Sequence, residues 1–321
     1  MKLSMNPARP FEHFVTLFNS DFLPLGLTLY NSLVSHAQPF HLWVICMDET
    51  VEERLKTIGL PNLTTIPLKD IETKELLDVK PTRTIGEYCW TITPFTPKAV
   101  FDRDTNVERV TYIDADLFFF DDPQILLKEF EKSKKHVLIT EHAYAPEYDQ
   151  TLRSGRFCVQ FMTFRRTIES CNVMKWWQDR CVEWCYAHGE DGKLGDQMYL
   201  DRWPELFGDS VHILKQVDKT LAPWNVSYFE RKLGGGLNPV FYHFEGLRIT
   251  KPNKIQLYSS YKIGKRGLNL YTVYISVLKK SINFLNINNI PIKCMIRKKE
   301  RWWLFKYFIR ILMGKVQSVR I

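Results

Sequence analysis

The stretch that most constrains this chain runs from Val110 to Phe120 and reads Val-Thr-Tyr-Ile-Asp-Ala-Asp-Leu-Phe-Phe-Phe. Its β-branched and aromatic residues are typical of a strand that is buried on both faces. Two carboxylates interrupt the run, although an ionised carboxylate is costly to bury without a partner. Because residues i and i+2 of a strand share a face, we expect Asp114 and Asp116 to converge on one divalent cation. Such a cation is suited to holding the phosphates of a nucleotide substrate.

The first third of the sequence alternates between strand patterns and helix patterns. The predicted strands are 13–18, 41–47 and 63–68, and the predicted helices are 24–36 and 51–58. This alternation predicts an α/β fold with a central mixed, mainly parallel sheet. Ligands of such sheets bind at the carboxyl ends of the strands, where Asn19-Ser-Asp21 and the aspartate pair both stand.

The second half continues this pattern around a long helix. Further strands are predicted at 136–140, 157–164, 211–214 and 239–244, and helices at 123–130 and 167–186. The apolar stripe of the long helix includes Cys181, while Cys185 follows one turn later without the further ligands of a zinc site, so we interpret this stripe as core. The glycines at 234–236 lack the Lys-Ser/Thr that follows in a phosphate-binding P-loop, and we interpret them as a turn.

The positive charge of the chain is concentrated at its C-terminal end. Residues 293–321 contain nine Lys or Arg and one Glu, which equals the net charge of +8 for the whole protein. We therefore divide the chain into a domain at 1–255, a connecting segment at 256–292 and a basic tail at 293–321. Cations mixed with Trp and Phe in this tail predict an amphipathic helix on an anionic membrane surface. The alternative is a helix that packs back on the domain, and nucleic acid is not an expected partner because no recognised module is present.

The cysteines and the N-terminal residues indicate the cellular compartment of this protein. Seven cysteines without a paired spacing favour free thiols in a reducing compartment. Residues 1–10 lack the apolar segment of a signal peptide, and no apolar stretch reaches the length of a membrane span. We therefore expect a cytoplasmic protein that is peripheral at the inner face of the cell membrane.

Four ordered motifs between residues 13 and 255 resemble the A-type-fold glycosyltransferases, and most closely their family 8, the group of glycogenin and bacterial lipopolysaccharide sugar transferases. A still closer resemblance is to uncharacterised bacterial sugar transferases. Asp-x-Asp alone occurs by chance in many proteins, but the ordered set is specific. The motifs are the opening Phe14-Val-Thr-Leu17, the metal motif Thr111-Tyr-Ile-Asp-Ala-Asp116, the element Gly195-Asp-Gln197, and the late His243-Phe-Glu-Gly246 with Lys251-Pro252.

The resemblance implies roles for particular residues of this chain. Asp114, Asp116 and His243 would hold Mn²⁺ or Mg²⁺, and the nitrogen ligand tilts the choice towards Mn²⁺. Asp196 and Gln197 would be the catalytic residues beside the reacting sugar, although Asp196 could instead cap the next helix. Lys251 would neutralise the diphosphate. The residues implied to bind the substrate are Leu17, Asn19, Ser20, Trp90, Asp114, Cys158, Gln160, Gly246 and Lys251.

This sequence departs from the family pattern at two positions. The family often has a base-stacking Tyr where this chain has Leu23. Cys158-Val-Gln160 stands where the resemblance leads us to expect Asn-x-Gly on the strand facing the donor sugar, which indicates a changed choice of sugar.

Together these features predict metal-dependent transfer of a sugar, with retention of configuration, from a nucleoside-diphosphate sugar, with UDP the expected nucleotide, to a glycan or lipid-linked acceptor. Glu141-His142 is a second candidate pair for acid–base chemistry. Two alternatives remain: a non-catalytic nucleotide-sugar-binding or scaffold protein, and a sugar nucleotidyltransferase, whose Gly-rich phosphate loop is missing after the first strand.

Overall fold

The structure is a computed structural model that describes residues 10–295, 311 and 313–320. The predicted α/β fold is confirmed. The strands in the described residues are β1 (Glu12–Phe18), β2 (Phe40–Cys46), β3 (Leu63–Pro67), β4 (Arg109–Ile113), β5 (Leu117–Phe119), β6 (Val137–Glu141), β7 (Phe157–Arg165), β8 (Val211–Ile213), β9 (Thr220–Leu221), β10 (Phe241–His243), β11 (Arg248–Lys251), β12 (Lys254–Ser259) and β13 (Val316–Arg320).

Helices fill most of the connections between these strands. They begin where the sequence offers caps: Asp48 accepts the backbone N–H of Val51, and Thr84 forms a capping box with Glu87. The helices are α1 (Leu23–His36), α2 (Glu49–Ile58), α3 (Lys74–Val79), α4 (Ile85–Ile92), α5 (Thr96–Arg103), α6 (Gln124–Ser133), α7 (Thr151–Ser154), α8 (Ile168–Glu183), α9 (Trp203–Leu206), α10 (Val226–Lys232) and α11 (Lys265–Ile287).

The central sheet has seven strands in the order β3-β2-β1-β4-β7-β6-β8. Its neighbours pair in parallel except at β7, which is antiparallel to both β4 and β6. The alternating side chains of β1 show how the sheet separates two cores. Phe14 and Phe18 contribute to the core on one face, and Val15 and Leu17 to the core on the other. Burying a side chain of this size stabilises the fold by about 1.5–3 kcal/mol.

The run from Val110 to Phe120 is not one continuous strand, as the sequence had suggested. β4 ends at Ile113, and the backbone N–H of Leu117 donates to the carbonyl of Asp114 over 3.1 Å, which closes a turn across Asp114-Ala-Asp116. β5 then leaves the central sheet and pairs with β10. The two aspartates therefore lie at a junction between sheets, where a turn rather than strand alternation brings them together.

A small sheet in the order β5-β10-β9 carries the late part of the chain to this junction. β10 pairs antiparallel with β5, and its last residue, His243, stands opposite Leu117. The next backbone N–H, that of Phe244, donates to the carbonyl of Asp116 over 2.9 Å. This pairing places His243 beside the aspartates, although about 130 residues separate them in the sequence.

Residues 256–292, which the sequence suggests are a connecting segment, are largely regular structure. β12 belongs to a sheet in the order β11-β12-β13, and α11 packs along α1. Tyr271 and Tyr274 of α11 are buried in a third core with Phe118 and Phe244.

The described part of the basic tail includes β13, which pairs antiparallel with β12. The central part of the predicted membrane-surface helix, residues 296–310, lies outside the described residues. Among the described residues, no helix combines the length and the apolar character that crossing a membrane requires.

Candidate metal centre and substrate cleft

A cleft of about 670 Å³ opens beside the carboxyl ends of β1 and β4. This is the place where ligands bind in open α/β sheets. Most of the residues singled out in the sequence line it. They are Leu17, Asn19, Trp90, Asp114, Asp116, Cys158, Asp196, Gln197 and His243.

Asp114, Asp116 and His243 form one compact cluster in this cleft. Each offers a ligand atom, and these atoms lie within 4.8 Å of one another. His243 Nε2 is 3.1 Å from an Asp116 oxygen and 3.7 Å from an Asp114 oxygen. Two carboxylates and one imidazole suit a divalent cation such as Mn²⁺, with room in the open cleft for further oxygen ligands. The donor set therefore fits the metal that the sequence predicts.

The orientation of His243 is fixed by Gln160 of β7. The side-chain oxygen of Gln160 lies 2.8 Å from His243 Nδ1, and both side chains are buried. An amide oxygen can only accept, so Nδ1 carries a proton and Nε2 faces the aspartates. Hydrogen bonds of this kind commonly set the tautomer of metal-binding histidines. The side-chain nitrogen of Gln160 is buried without a hydrogen-bond partner among the described residues.

The charges in the cluster affect one another strongly. Burial raises the pKa of Asp114. Burial also acts to raise the pKa of Asp116, but the charges of His243 and then Arg248 outweigh it and lower that pKa. Burial opposes the charged form of His243, yet the Asp116 carboxylate raises the pKa of the imidazole well above its ordinary value. Without a metal, a proton on the His243 imidazole thus offsets the charge of the Asp116 carboxylate, and a bound cation would displace that proton.

Asp196 and Gln197 lie in the same cleft, next to the glycine that opens their motif. Burial, together with the charge of Asp114, raises the pKa of Asp196 to about 8. Trp177 donates its indole N–H to the backbone carbonyl of Asp196 over 2.8 Å, and Gln197 donates its amide to the carbonyl of Ser154. Asp196 is thus buried at the cleft with its backbone fixed, and a pKa of about 8 leaves its carboxyl group mainly protonated near neutral pH.

The Glu141-His142 pair is divided between two environments. Glu141 forms an ion pair with Arg156, whereas His142 lines the cleft. Burial lowers the pKa of His142 to about 3, so the imidazole is neutral at physiological pH. Consecutive residues at a strand end point to opposite sides, which explains why the pair does not act as one unit.

Comparison with curated proteins identifies two relatives, both from Bacillus subtilis strain 168. The uncharacterised protein YfnD is 30% identical over 282 residues, which cover 84% of this chain and 90% of YfnD. The uncharacterised protein YfnF is 31% identical over 256 residues, which cover 76% of this chain and 84% of YfnF. This chain belongs to the family of YfnD and YfnF. No family model matches the sequence.

Solved structures that resemble this YfnD/YfnF-family chain are glycosyltransferases. The galactosyltransferase LgtC, in complex with donor and acceptor sugar analogues, superposes with a TM-score of 0.52 at 12% identity, covering 92% of this chain and 99% of LgtC. The apo form of GlyE from Streptococcus pneumoniae TIGR4 gives 0.52 at 13% identity, covering 90% of this chain and 66% of GlyE. At these identities the likeness shows the fold, which is the A-type glycosyltransferase fold predicted from the sequence.

Four residues predicted to bind substrate lie outside the lining of the cleft in this family member. Ser20 is buried, and its backbone N–H donates to Asp48 over 2.9 Å. Gln160 lies behind His243. Gly246, with φ of +80°, forms the turn after β10, and Lys251 is exposed at the far end of β11.

Sequence reasoning gave no role to several residues that do line the cleft. Arg248 follows two residues after Gly246, and its side chain faces the cleft beside Phe22. Tyr144, Trp224 and Tyr261 form an aromatic wall next to His243, with Trp224 edge-on to the imidazole at 5.4 Å. No local sequence pattern assigns these three side chains to one wall, because they come from separate parts of the chain.

Proposed function

We propose that this protein is a metal-dependent glycosyltransferase that transfers a sugar from a nucleoside-diphosphate sugar to a glycan acceptor. The observation that carries the proposal is the Asp114–Asp116–His243 cluster at the carboxyl edge of an A-type glycosyltransferase fold. Two carboxylates that lie this close together need a cation between them, and a divalent metal ion meets that need.

The cluster would hold Mn²⁺ or Mg²⁺ through one oxygen of each aspartate and Nε2 of His243. When bound, such an ion supplies positive charge that stabilises the diphosphate leaving group. Gln160 keeps the Nε2 lone pair of His243 directed at the site, and Tyr112 donates to Asp114 over 2.8 Å, which orients that carboxylate.

The nucleotide would lie against the end of β1, and UDP is the nucleotide that we expect first. Leu17 and Asn19 line this part of the cleft, and Ser20 adjoins them in the chain. The side-chain oxygen of Asn19 is buried without a hydrogen-bond partner among the described residues, so it is available to a ribose or base donor. Trp90, packed near Gly195, supplies an apolar surface beside the sugar.

Chemistry would take place between the cluster and Asp196. Cys158 lines the cleft and would lie near the donor sugar. The hydroxyl of the acceptor would attack the anomeric carbon as the bond to the diphosphate breaks, and the departing diphosphate would take the proton of that hydroxyl. Asp196, as a protonated carboxyl, can donate a hydrogen bond to the sugar, and Gln197 can position it or the acceptor. Retention of configuration is the outcome that the family resemblance favours.

The aromatic wall supports a glycan as the acceptor. Tyr144 and Tyr261 are half-buried and line the cleft, while Gln150 and Glu245 add polar groups to it. Aromatic faces with polar neighbours suit sugar rings, which have both apolar and hydroxyl surfaces. A lipid-linked glycan at the inner face of the cell membrane, reached through the basic residues 293–321, is the acceptor class we propose first.

Thermal stability with a panel of nucleotide sugars, each with and without Mn²⁺, tests this function. A donor that binds the folded state raises its stability by about 2.7 kcal/mol at a hundredfold excess over its dissociation constant. We expect one donor to shift the melting temperature only with metal, and Asp116→Ala to abolish the shift. The control is Asp209→Ala, a fully exposed aspartate outside the cleft. A folded protein that responds to no donor would contradict the proposal, and metal-dependent binding without sugar release or transfer would favour a binding or scaffold protein.

A further inference from the structure

The diphosphate of the donor needs a protein cation as well as the metal. Asp114 and Asp116 bring two negative charges to the site, so a single divalent cation leaves the phosphates largely unneutralised. The family resemblance implies Lys251 for this role, but the structure places Lys251 exposed and outside the cleft. The inference that follows rests on the proposed function.

We propose that Arg248, rather than Lys251, is the residue that binds the diphosphate beside the metal. Its side chain lines the cleft together with Asp116 and His243. Its guanidinium lies 5.4 Å from the centre of the Phe22 ring, and Nη1 donates to the carbonyl of Leu247 over 2.6 Å. Phe22 and the carbonyl group thus hold the guanidinium at the cleft.

Most N–H donors of the Arg248 guanidinium have no hydrogen-bond partner among the described residues. Arginine has five N–H donors. Within the residues that the structure describes, Leu247 is its single hydrogen-bond partner and no carboxylate lies within ion-pair distance. Arg248 also lines the same cleft as Asp114, Asp116 and His243, which places its positive charge on the side of the candidate metal cluster. An arginine with free N–H groups in a half-buried position is well suited to bidentate contact with phosphate oxygens.

The local chain path explains why Arg248 and not Lys251 faces the site. His243 ends β10, the backbone turns at Gly246 with φ of +80°, and β11 begins at Arg248. Arg248 is therefore the first cation after the metal-binding histidine. Lys251 ends β11 at the hairpin, where it pairs with Lys254, roughly 10 Å further along the strand.

Among the described residues, Arg153 also lines the cleft, and it is the alternative candidate for the diphosphate-binding cation. It lies in α7 and is exposed, whereas Arg248 is half-buried. Because Arg153 belongs to the segment that carries Gln150 and Ser154, it adjoins Gln197 rather than the metal cluster. We therefore expect its loss to affect the acceptor end and to leave diphosphate binding unchanged.

The test measures the affinity of the full-length protein for UDP and for UMP, with saturating Mn²⁺, by calorimetry. We expect Arg248→Met to weaken UDP binding about tenfold or more and to leave UMP binding within about twofold. UDP would lose the contact between the guanidinium and its second phosphate, which UMP does not have. Arg248→Lys should restore part of the affinity. The matched controls Lys251→Met and Arg153→Met should bind UDP as the wild type does.

A second readout separates this role from general damage to the fold. Mn²⁺ binding without nucleotide, followed by electron paramagnetic resonance, should become tighter in Arg248→Met, because a repelling positive charge near the cluster is gone. A merely structural loss would weaken it instead. Unchanged UDP affinity in Arg248→Met, or a loss of UDP affinity in Lys251→Met or Arg153→Met, would overturn the inference. Failure of the wild type to bind UDP, GDP, dTDP, CDP or ADP with Mn²⁺ would overturn the proposed function itself.

Discussion

At the scale of single residues, the metal cluster depends on a glutamine that is not a ligand. The side-chain oxygen of Gln160 accepts a hydrogen bond from His243 Nδ1–H and so directs Nε2 towards Asp116. We expect Gln160→Met, which keeps the volume but removes the acceptor, to weaken Mn²⁺ binding by about 10- to 100-fold. Mn²⁺ titration followed by electron paramagnetic resonance measures this.

The control for that variant is Gln124→Met, because Gln124 is also buried but contacts Glu12 at the other end of the sheet. It should lower stability without changing Mn²⁺ affinity. Equal Mn²⁺ affinity in the wild type and in Gln160→Met would contradict a positioning role for Gln160.

Asp196 makes stability depend on pH in a definite direction. Its pKa is about 8 in the folded protein and 3.8 as a free side chain. Between these values the folded state keeps a proton that the unfolded state has released, so the free energy of unfolding falls as the pH rises. This group contributes a fall of about 1.4 kcal/mol per pH unit, and Asp196→Asn should remove it. Urea denaturation of both proteins in metal-free buffer at pH 5, 6 and 7 measures the difference, and parallel curves would contradict the raised pKa.

The sequence predicts those residues of the candidate site that belong to recognisable motifs, but not those whose orientation depends on tertiary packing. Asp114, Asp116 and His243 were predicted together, and the structure brings their ligand atoms within 4.8 Å. Their catalytic and binding roles stay predictions. Arg248 was missed because the direction of a side chain after a positive-φ turn depends on tertiary packing, and no local pattern encodes it.

At the scale of elements, the backbone of helix α1 at Gly26 lies directly against the ring of Phe18 from strand β1. A Cβ at Gly26 would lie 2.5 Å from the Phe18 ring, and Phe18 also lines the cleft. We expect Gly26→Ala to lower the free energy of unfolding by about 1–3 kcal/mol, because the core would be overpacked. Gly86→Ala is the matched control: a Cβ there meets no atom within 4 Å, so helix α4 should be unchanged or stabilised by about 0.4–1 kcal/mol. Chemical denaturation measures both, and equal effects would contradict the close packing.

The order of elements could be predicted more fully than their pairing. Strands β1, β2, β6 and β7 lie within a residue or so of the predicted positions, because their β-branched and aromatic runs are long and clear. The break between β4 and β5 was missed, since the apolar pattern continues through it. β5 leaves the central sheet to pair with β10, more than 120 residues later in the chain, and sequence spacing carries no information about that partner.

At the scale of the whole molecule, the net positive charge lies in the C-terminal tail, whereas the proposed active site lies in the domain before it. The basic residues 293–321 carry a net charge equal to that of the whole protein. Each cation near an anionic membrane surface contributes about 1 kcal/mol to binding. Replacing Arg297, Lys298, Lys299 and Arg301 with Gln should therefore abolish sedimentation with anionic vesicles.

The control for vesicle binding replaces four exposed lysines of the domain: Lys69, Lys128, Lys132 and Lys134. This variant should sediment as the wild type does. Equal loss in both variants would indicate a general charge effect, and no loss in the tail variant would contradict the membrane-surface proposal. Donor binding should be unchanged in the variant of the four domain lysines, because none of these four lines the cleft.

The most direct test of the account is whether Mn²⁺ and a nucleoside diphosphate bind this site together. Electron paramagnetic resonance of Mn²⁺ added to the protein, with and without UDP, reports the free ion, which gives a strong signal that is lost on binding. We predict that the wild type removes this signal, that UDP increases the effect, and that Asp116→Ala abolishes both. A signal that is unchanged by folded wild-type protein, with or without UDP, would contradict the central claim that Asp114, Asp116 and His243 form a metal site for a nucleotide substrate.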